Sequence, residues 1–343
     1  MHPLKEGSYH MQKMASASLL PPAWDELAQY CFQKRAFYTY TEQYNPCKQR
    51  YYLLYQNNRL MAGASVYSIR IDLLTFLNIP SPVNLQVVGI PATVAPGGLI
   101  GDKASVEILL QHILASEKGL VVGMNTPADL NCHPATPMRN MPTIVIQHNH
   151  NAWDEYLTSL RSDYRRRMKK INRKFEGVTE VVTDCSVFTQ QHYGLYLQVY
   201  KRSKSKVEKL SFDFFKNLPP EYKLTTYYAE ETPLCWHITI EDGEVLWFFF
   251  GGTDYSLNAQ YHAYFNNIAN LVKHAINKGF KVIDLGQTAE VPKTRLGGVP
   301  RELYLFIYHR NKLLNFLLRK GAALLQYNRK IPATNVFNQP TPS

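Results

Sequence analysis

The spacing of apolar residues changes period within the last third of the chain. Leu246, Trp247, Phe248, Phe249 and Phe250 form an unbroken apolar run of the kind that fills a strand buried on both faces, and Gly251-Gly252-Thr253-Asp254 interrupts it. Further on, Tyr261, Phe265, Ile268, Leu271, Val272, Ala275 and Ile276 recur at three- and four-residue intervals, which predicts an amphipathic helix stopped by Gly279. Residues 280–283 read as a short strand, and a polar run follows from Asp284-Leu285-Gly286 through Glu290, Lys293 and Arg295 to Gly297-Gly298. Strand, glycine break, helix, strand is the order of a βαβ-like unit, and glycines at the break allow backbone amides close to a ligand. On spacing alone, the polar run is either a solvated loop or part of a site.

The pattern has an echo upstream. Residues 51–69 read as strand, turn, strand, as do residues 224–240, and the helical stretch 108–118 with strand 119–123 parallels 268–278 with 279–283. A chain of 343 residues has room for two domains. The expected boundary lies near Asn149-His150-Asn151, after a strand at 143–146, which gives domains 1–149 and 150–331 and a loose Pro/Asn-rich tail 332–343. A glycine-rich segment, residues 94–102, precedes the first domain's helix and reads either as an anion cradle at a helix N-terminus or as a turn that needs glycine torsions.

Just past that boundary, Trp153-Asp154-Glu155-Tyr156-Leu157 leads into a segment where Tyr164, Met168, Ile171 and Phe175 share one helical face and seven of the intervening residues are Lys or Arg. This is either an amphipathic helix with a solvated basic side or a phosphate-binding face.

Together these residues resemble the Fem-like branch of the GNAT acyltransferase superfamily, which includes Fem-type peptidoglycan aminoacyltransferases. The resemblance rests on the strand before Gly251, the Asp284-Leu285-Gly286 turn, the Lys293-Thr294-Arg295-Leu296-Gly297 element and the Trp153-x-x-Tyr156-Leu157 segment running into a basic helix. Leu285, Pro292 and Leu296 depart from the branch's usual residues. The resemblance implies an α/β (α+β) chain of two tandem GNAT-like folds, each a mixed, mostly antiparallel sheet flanked by helices. It also implies direct transfer of an acyl group to an amine or hydroxyl acceptor, with no permanently bound cofactor.

Acyl transfer to an amine needs a proton acceptor and donors for a tetrahedral oxyanion. Asp284, Glu290 and His237 are the candidate catalytic residues, Gly251, Gly252, Asp254, Tyr255 and Tyr261 line the donor region, and Lys293 and Arg295 are suited to hold an anionic part of donor or acceptor. His237 alternates with Cys235, a spacing that also fits a Cys-His nucleophile. The expected donor is a thioester such as acyl-CoA, although the glycine loop typical of acetyl-CoA users is replaced by residues 254–261. The alternative is an aminoacyl-tRNA, held through Arg165, Arg166, Lys169 and Lys170, used on a cell-wall or peptide precursor. A third reading is a binding protein that kept the fold without the chemistry.

Composition adds a few exclusions. The net charge of +11 favours an acidic partner, the five cysteines lack metal-site or disulfide spacing, and no metal is expected. His148 and His150 read as surface residues. No apolar run is long enough to span a bilayer and residues 1–17 have no secretory apolar core, which points to the cytoplasm. Residues 313–325 are apolar with basic flanks and read either as a helix packed on the second domain or as a peripheral membrane contact.

Overall fold

A computed structural model describes residues 9–45, 47–72, 82–92, 94–203 and 209–338. Among them the strands are β1 (Tyr9–Met14), β2 (Lys48–Gln56), β3 (Arg59–Asp72), β4 (Pro82–Val88), β5 (Leu99–Gly101), β6 (Leu120–Thr126) and β7 (Thr136–Gln147). They continue with β8 (Thr179–Asp184), β9 (Lys223–Ala229), β10 (Thr232–Asp242), β11 (Val245–Thr253), β12 (Val282–Asp284) and β13 (Val299–His309).

The chain divides into two compact units. Unit 1 is Met1–Met141 with Glu302–Asn328, and unit 2 is Pro142–Arg301 with Arg329–Ser343. This differs from the boundary expected at residue 149, because each unit takes a strand from the other half of the sequence. In unit 1 the order is β1-β2-β3-β4-β6-β13, and the β13 residues that pair with β6 run from Tyr304 opposite Thr126 to His309 opposite Leu120. In unit 2 the order is β7-β12-β11-β10-β9-β8, and the end of β7 pairs with β12 at Val145, Ile146 and Gln147.

Each unit has one parallel pair joined through a helix. Strands β4 and β6 flank the helix Lys103–Ser116, and β11 and β12 flank the helix Ala263–Asn277. All other pairings within the units are antiparallel, so both units are mixed, mostly antiparallel sheets with helices against them. The β2–β3 hairpin turns at Asn57 and Asn58, with φ of 51° and 61°, values that asparagine tolerates and that match the twist of the strands. In unit 2 the periodic residues Ile268, Leu271, Val272, Ala275 and Ile276 are buried against Ile146, Leu246 and Ile283, as the sequence pattern demands. Gly279, at φ 86°, ends that helix.

Two expectations change. The glycine segment before Lys103 is a packing device: a Cβ on Gly98 would lie 2.5 Å from the Gly89 backbone. Asp102 already caps the helix by accepting the Ser105 amide at 3.0 Å, which places a carboxylate where an anion would sit. The tail is not loose through residue 338. Val336 is buried, Phe337 bridges to Leu160, and the Asn338 amide donates to the Ser159 carbonyl at 3.0 Å; residues 339–343 lie outside the described residues.

The borrowed strand of unit 1 can be tested at one contact. A Cβ on Gly123 would overlap the Phe306 ring, which is only 1% exposed. Phe306→Ala is expected to cost about 3–5 kcal/mol by cavity formation, and Gly123→Ala about 1–3 kcal/mol by overpacking. In the double variant the Gly123→Ala penalty should vanish, as read by chemical denaturation. A Gly123→Ala protein of unchanged stability would contradict the pairing of β13 with β6.

Candidate active site

Unit 2 opens where β11 and β12 part. Their parallel register covers only Val245↔Val282, Leu246↔Ile283 and Trp247↔Asp284. Strand β11 then continues along β10 to Thr253, with a bulge at Phe249 that changes its course. Meanwhile β12 stays with β7 past its end: the Leu285 amide donates to the Ile144 carbonyl at 2.9 Å, and the Ile144 amide donates to the Gly286 carbonyl at 3.2 Å. Two strands held by different neighbours diverge, and from Phe248 onward β11 presents a backbone edge not paired with β12. The opening begins before Gly251 and Gly252, which lie inside the paired strand and not at a break.

Those glycines have packing reasons. A Cβ on Gly252 would overlap the indole of Trp236, fixed by its nitrogen donating to the His192 carbonyl at 2.9 Å, and one on Gly251 would sit 3.0 Å from the Phe248 ring.

The turn after β12 is locked by its own side chains. Asp284 Oδ1 accepts the Thr143 hydroxyl at 2.6 Å and the Gly286 amide at 2.8 Å, and Arg301 donates to Oδ2 at 3.2 Å. Burial raises the Asp284 pKa, while those hydrogen bonds and the nearby Arg301 and Lys293 charges oppose the rise. Gly286 has φ 71°, and Thr288 and Ala289 follow at 65° and 47°, two successive left-handed residues that lack glycine's freedom. They lead into the short helix Glu290–Thr294.

That helix turns Lys293 inward. Lys293 is 1% exposed, and its Nζ donates to the Gly286 carbonyl at 3.0 Å and the Gln287 carbonyl at 2.8 Å. The same nitrogen lies 5.8 Å from the centre of the Phe248 ring, the first β11 residue beyond the parting. Burial pulls its pKa down to about 7, against the raising influence of Asp284 and Glu290. Glu290 is 2% exposed and accepts from Arg329 at 3.2 Å. Asp284, Glu290 and Lys293 therefore form one buried cluster at the end of β12.

Arg295 faces elsewhere. It lines a pocket of about 240 Å³ with Asp163, Tyr164, Arg167, Thr294 and Thr334, between the basic helix Ser162–Arg173 and the C-terminal segment. His237 is also apart from the cluster. Its Nδ1 bonds to the Asn267 side chain at 2.7 Å, and burial lowers its pKa to about 4, so it is a core residue rather than a base. Cys235 Sγ contacts the Ala263 carbonyl at 3.5 Å, and burial pushes its thiol well up, which removes the Cys-His idea.

Asp254 Oδ1 accepts the Ser256 amide and hydroxyl at 2.8 and 2.6 Å and serves as a turn residue. Tyr255 lies under the Arg202 guanidinium at 4.3 Å, and Tyr261 packs with Tyr227, Leu234 and Ala263. His148 is 6% exposed, and its ring stands edge-on to Tyr156, contrary to the surface reading.

The four basic residues singled out from the sequence have different settings. Arg165 donates to the Thr158 and Leu160 carbonyls at 3.1 and 3.2 Å and anchors its own helix, while Arg166 and Lys169 are exposed. The charges of Lys174, Arg167 and Lys170 act on His262, which starts the helix Ala263–Asn277, and lower its pKa after burial. Arg167 and Lys174 had been missed, although residues 167, 170 and 174 recur at three- and four-residue spacing and so share one flank. At the same helix start, Asn258 Oδ1 accepts the Tyr264 amide at 2.9 Å, and the short helix Asn258–Tyr261 fills the connection from β11.

Residues 158–293 match the family model described as acetyltransferase (GNAT) domain, a span inside unit 2 that ends on Lys293. No curated protein matches the chain. Among solved structures the fold is similar to FemX at a TM-score of 0.56 and 11% identity, over 90% of this chain and 100% of that one. L-PGS from Bacillus licheniformis aligns at a TM-score of 0.48 and 11% identity, over 76% of this chain and 85% of that one. The GNAT match lies on the unit whose central strands part: residues 158–293 carry a GNAT acetyltransferase domain, and the fold of the chain is like that of FemX.

Proposed function

We propose that unit 2 transfers an acyl group directly from an activated donor to an amine, with the reaction centred where β11 leaves β12. The observation that carries this reading is Lys293, buried beside Phe248 at the parting, with a pKa near the working pH. The β11 edge that has left β12 offers backbone donors to a carbonyl oxygen that becomes an oxyanion, and the Lys293 ammonium adds positive charge in a dry environment. Asp284 is the positioning residue of this arrangement, because it fixes the turn whose carbonyls hold Lys293. Glu290 completes the buried cluster and has Arg329 as its counter-charge. Arg295 serves the neighbouring pocket.

The donor read from the sequence is a thioester such as acyl-CoA. A second reading, an aminoacyl-tRNA, is favoured by one observation: Arg167, Lys170 and Lys174 gather at a helix start whose Tyr264 amide is already taken by Asn258, an arrangement suited to an external phosphate chain more than to an enclosed pyrophosphate. Purified protein offered acetyl-CoA and an aminoacyl-tRNA, each with a panel of amines, should consume one of them. Consumption of neither would sink the acyl-transfer reading. For an RNA donor, changing Arg167, Lys170 and Lys174 together to Gln should lower the salt slope of binding by about 2 to 3. An unchanged slope would remove RNA contact from this helix.

Two expectations concern Lys293. Lys293→Met should slow transfer by about one to two powers of ten, the effect of losing a charge-assisted interaction of about 1.5–3 kcal/mol. Lys281→Ala, at a half-buried lysine outside the cluster, should leave the rate unchanged. The second is a pH effect on stability. Between about pH 7 and 10.5 the unfolded chain keeps a proton on this lysine that the folded protein has lost, so raising the pH favours the folded state. Denaturation midpoints should show the wild type gaining on Lys293→Met by up to about 1.4 kcal/mol per pH unit across that window. Parallel pH profiles for the two proteins would mean an ordinary, solvated lysine.

A further inference from the structure

The helix Lys312–Leu325 of unit 1 presents its apolar face outward. None of its residues is buried, and Leu313 is 67%, Leu317 55% and Leu324 88% exposed. On the helical wheel these three leucines cluster within about 40°, with Gly321, Leu314 and Leu325 continuing the face on one side. The less exposed positions are Asn315, Leu318, Gly321 and Ala322, of which Asn315, Leu318 and Ala322 lie toward the opposite side.

The orientation is fixed at both ends. Asn311 caps the first turn by accepting the Leu313 and Leu314 amides at 2.9 and 3.1 Å. Asn315 accepts the His309 amide and donates to the Pro134 carbonyl, each at 3.1 Å. Past the last turn, the Tyr327 amide donates to the Arg139 carbonyl at 3.0 Å. The leucines are therefore held outward by the hydrogen bonds that attach the helix.

Charge along this segment has one sign. Between His309 and Asn328 the chain carries Arg310, Lys312, Arg319 and Lys320 and no Asp or Glu. Arg319 and Lys320 lie over the Phe316 ring, each 5.6 Å from its centre, so their apolar stems run beside the leucine face and their charges border it. At about 1.5 Å per residue, 14 residues span roughly 21 Å, too short to cross a bilayer, and no helix among the described residues is long and apolar enough to do so.

We infer that unit 1 docks on an anionic lipid surface through this helix, with Leu313, Leu317 and Leu324 entering the acyl boundary and Lys312, Arg319 and Lys320 contacting the headgroups. An outward apolar stripe bordered by cations alone is the pattern of a helix lying in a membrane interface. A second copy of the chain offers a poorer fit, since pairing this helix with itself brings cations together with no carboxylate on the segment to offset them.

The test is co-sedimentation of the full chain with vesicles of phosphatidylcholine alone and of phosphatidylcholine mixed equally with phosphatidylglycerol, at low and high salt. The wild type should bind the anionic vesicles at least about tenfold more strongly than the neutral ones, and salt should weaken that binding. The triple variant Leu313→Asn/Leu317→Asn/Leu324→Asn should lose anionic binding at least about tenfold with an unchanged melting temperature, because the replaced side chains are exposed. Lys312→Gln/Arg319→Gln/Lys320→Gln should abolish the preference for anionic vesicles. Absence of wild-type binding, or equal binding by the leucine variant, would overturn the inference. So would light scattering that shows a dimer which the leucine substitutions dissociate, since the face would then belong to a second copy.

Discussion

The geometry of unit 2 depends on a conflict of pairing. Strand β11 is committed to β10 as far as Thr253 and β12 to β7 as far as Gly286, so the two cannot stay hydrogen-bonded to each other beyond Trp247 and Asp284. A parting in a parallel pair exposes polar backbone in the middle of a domain, which is costly unless those groups find partners. The structure meets that demand with buried polar side chains: Thr143 and the Gly286 amide on Asp284, and Lys293 on the carbonyls of Gly286 and Gln287. What holds the turn together also stations an amine at the opening.

Burial then sets the electrostatics. Desolvation raises the pKa of Asp284 and lowers that of Lys293, pushing both toward their neutral forms, while the Thr143 and Gly286 hydrogen bonds and the Arg301 and Lys293 charges oppose the first shift and the Asp284 and Glu290 charges oppose the second. The ion pair of Asp284 with Arg301 contributes less than its 3.2 Å distance suggests, since the Arg301 side chain is 50% exposed and solvent screens it. A near-neutral amine that can become an ammonium suits a reaction in which negative charge appears and then disappears.

Much of this fold is legible in the sequence because local physics decides it. The spacing of Ile268, Leu271, Val272 and Ala275 allows only one buried helical face, and Asn57-Asn58 allows a tight hairpin. Strand exchange between the halves is not legible, because the apolar run Thr143-Ile144-Val145-Ile146 identifies a strand and says nothing about its neighbour. The buried cluster is readable only in part. Asp284, Glu290 and Lys293 were named from the polar run, but its pairing of Lys293 with Arg295 overlooked that residues two apart on a helical turn point apart. His237 drew attention through its alternation with Cys235, whereas alternation on a strand marks a shared face, buried here. The outward leucines of the C-terminal helix were ambiguous, since a leucine stripe looks the same whether it faces a core or a membrane.

Most of the account rests on Lys293 being an amine of depressed pKa at the reaction centre. Its protonation can be followed directly by nuclear magnetic resonance of protein carrying carbon-13 at lysine Cε, with the Lys293→Met spectrum identifying its signal, in the absence and presence of donor. The account predicts one lysine titrating near pH 7, far below the ordinary 10.5, and a displacement of that midpoint when donor binds. A Lys293 signal that titrates with the other lysines, or one that ignores bound donor, would contradict it.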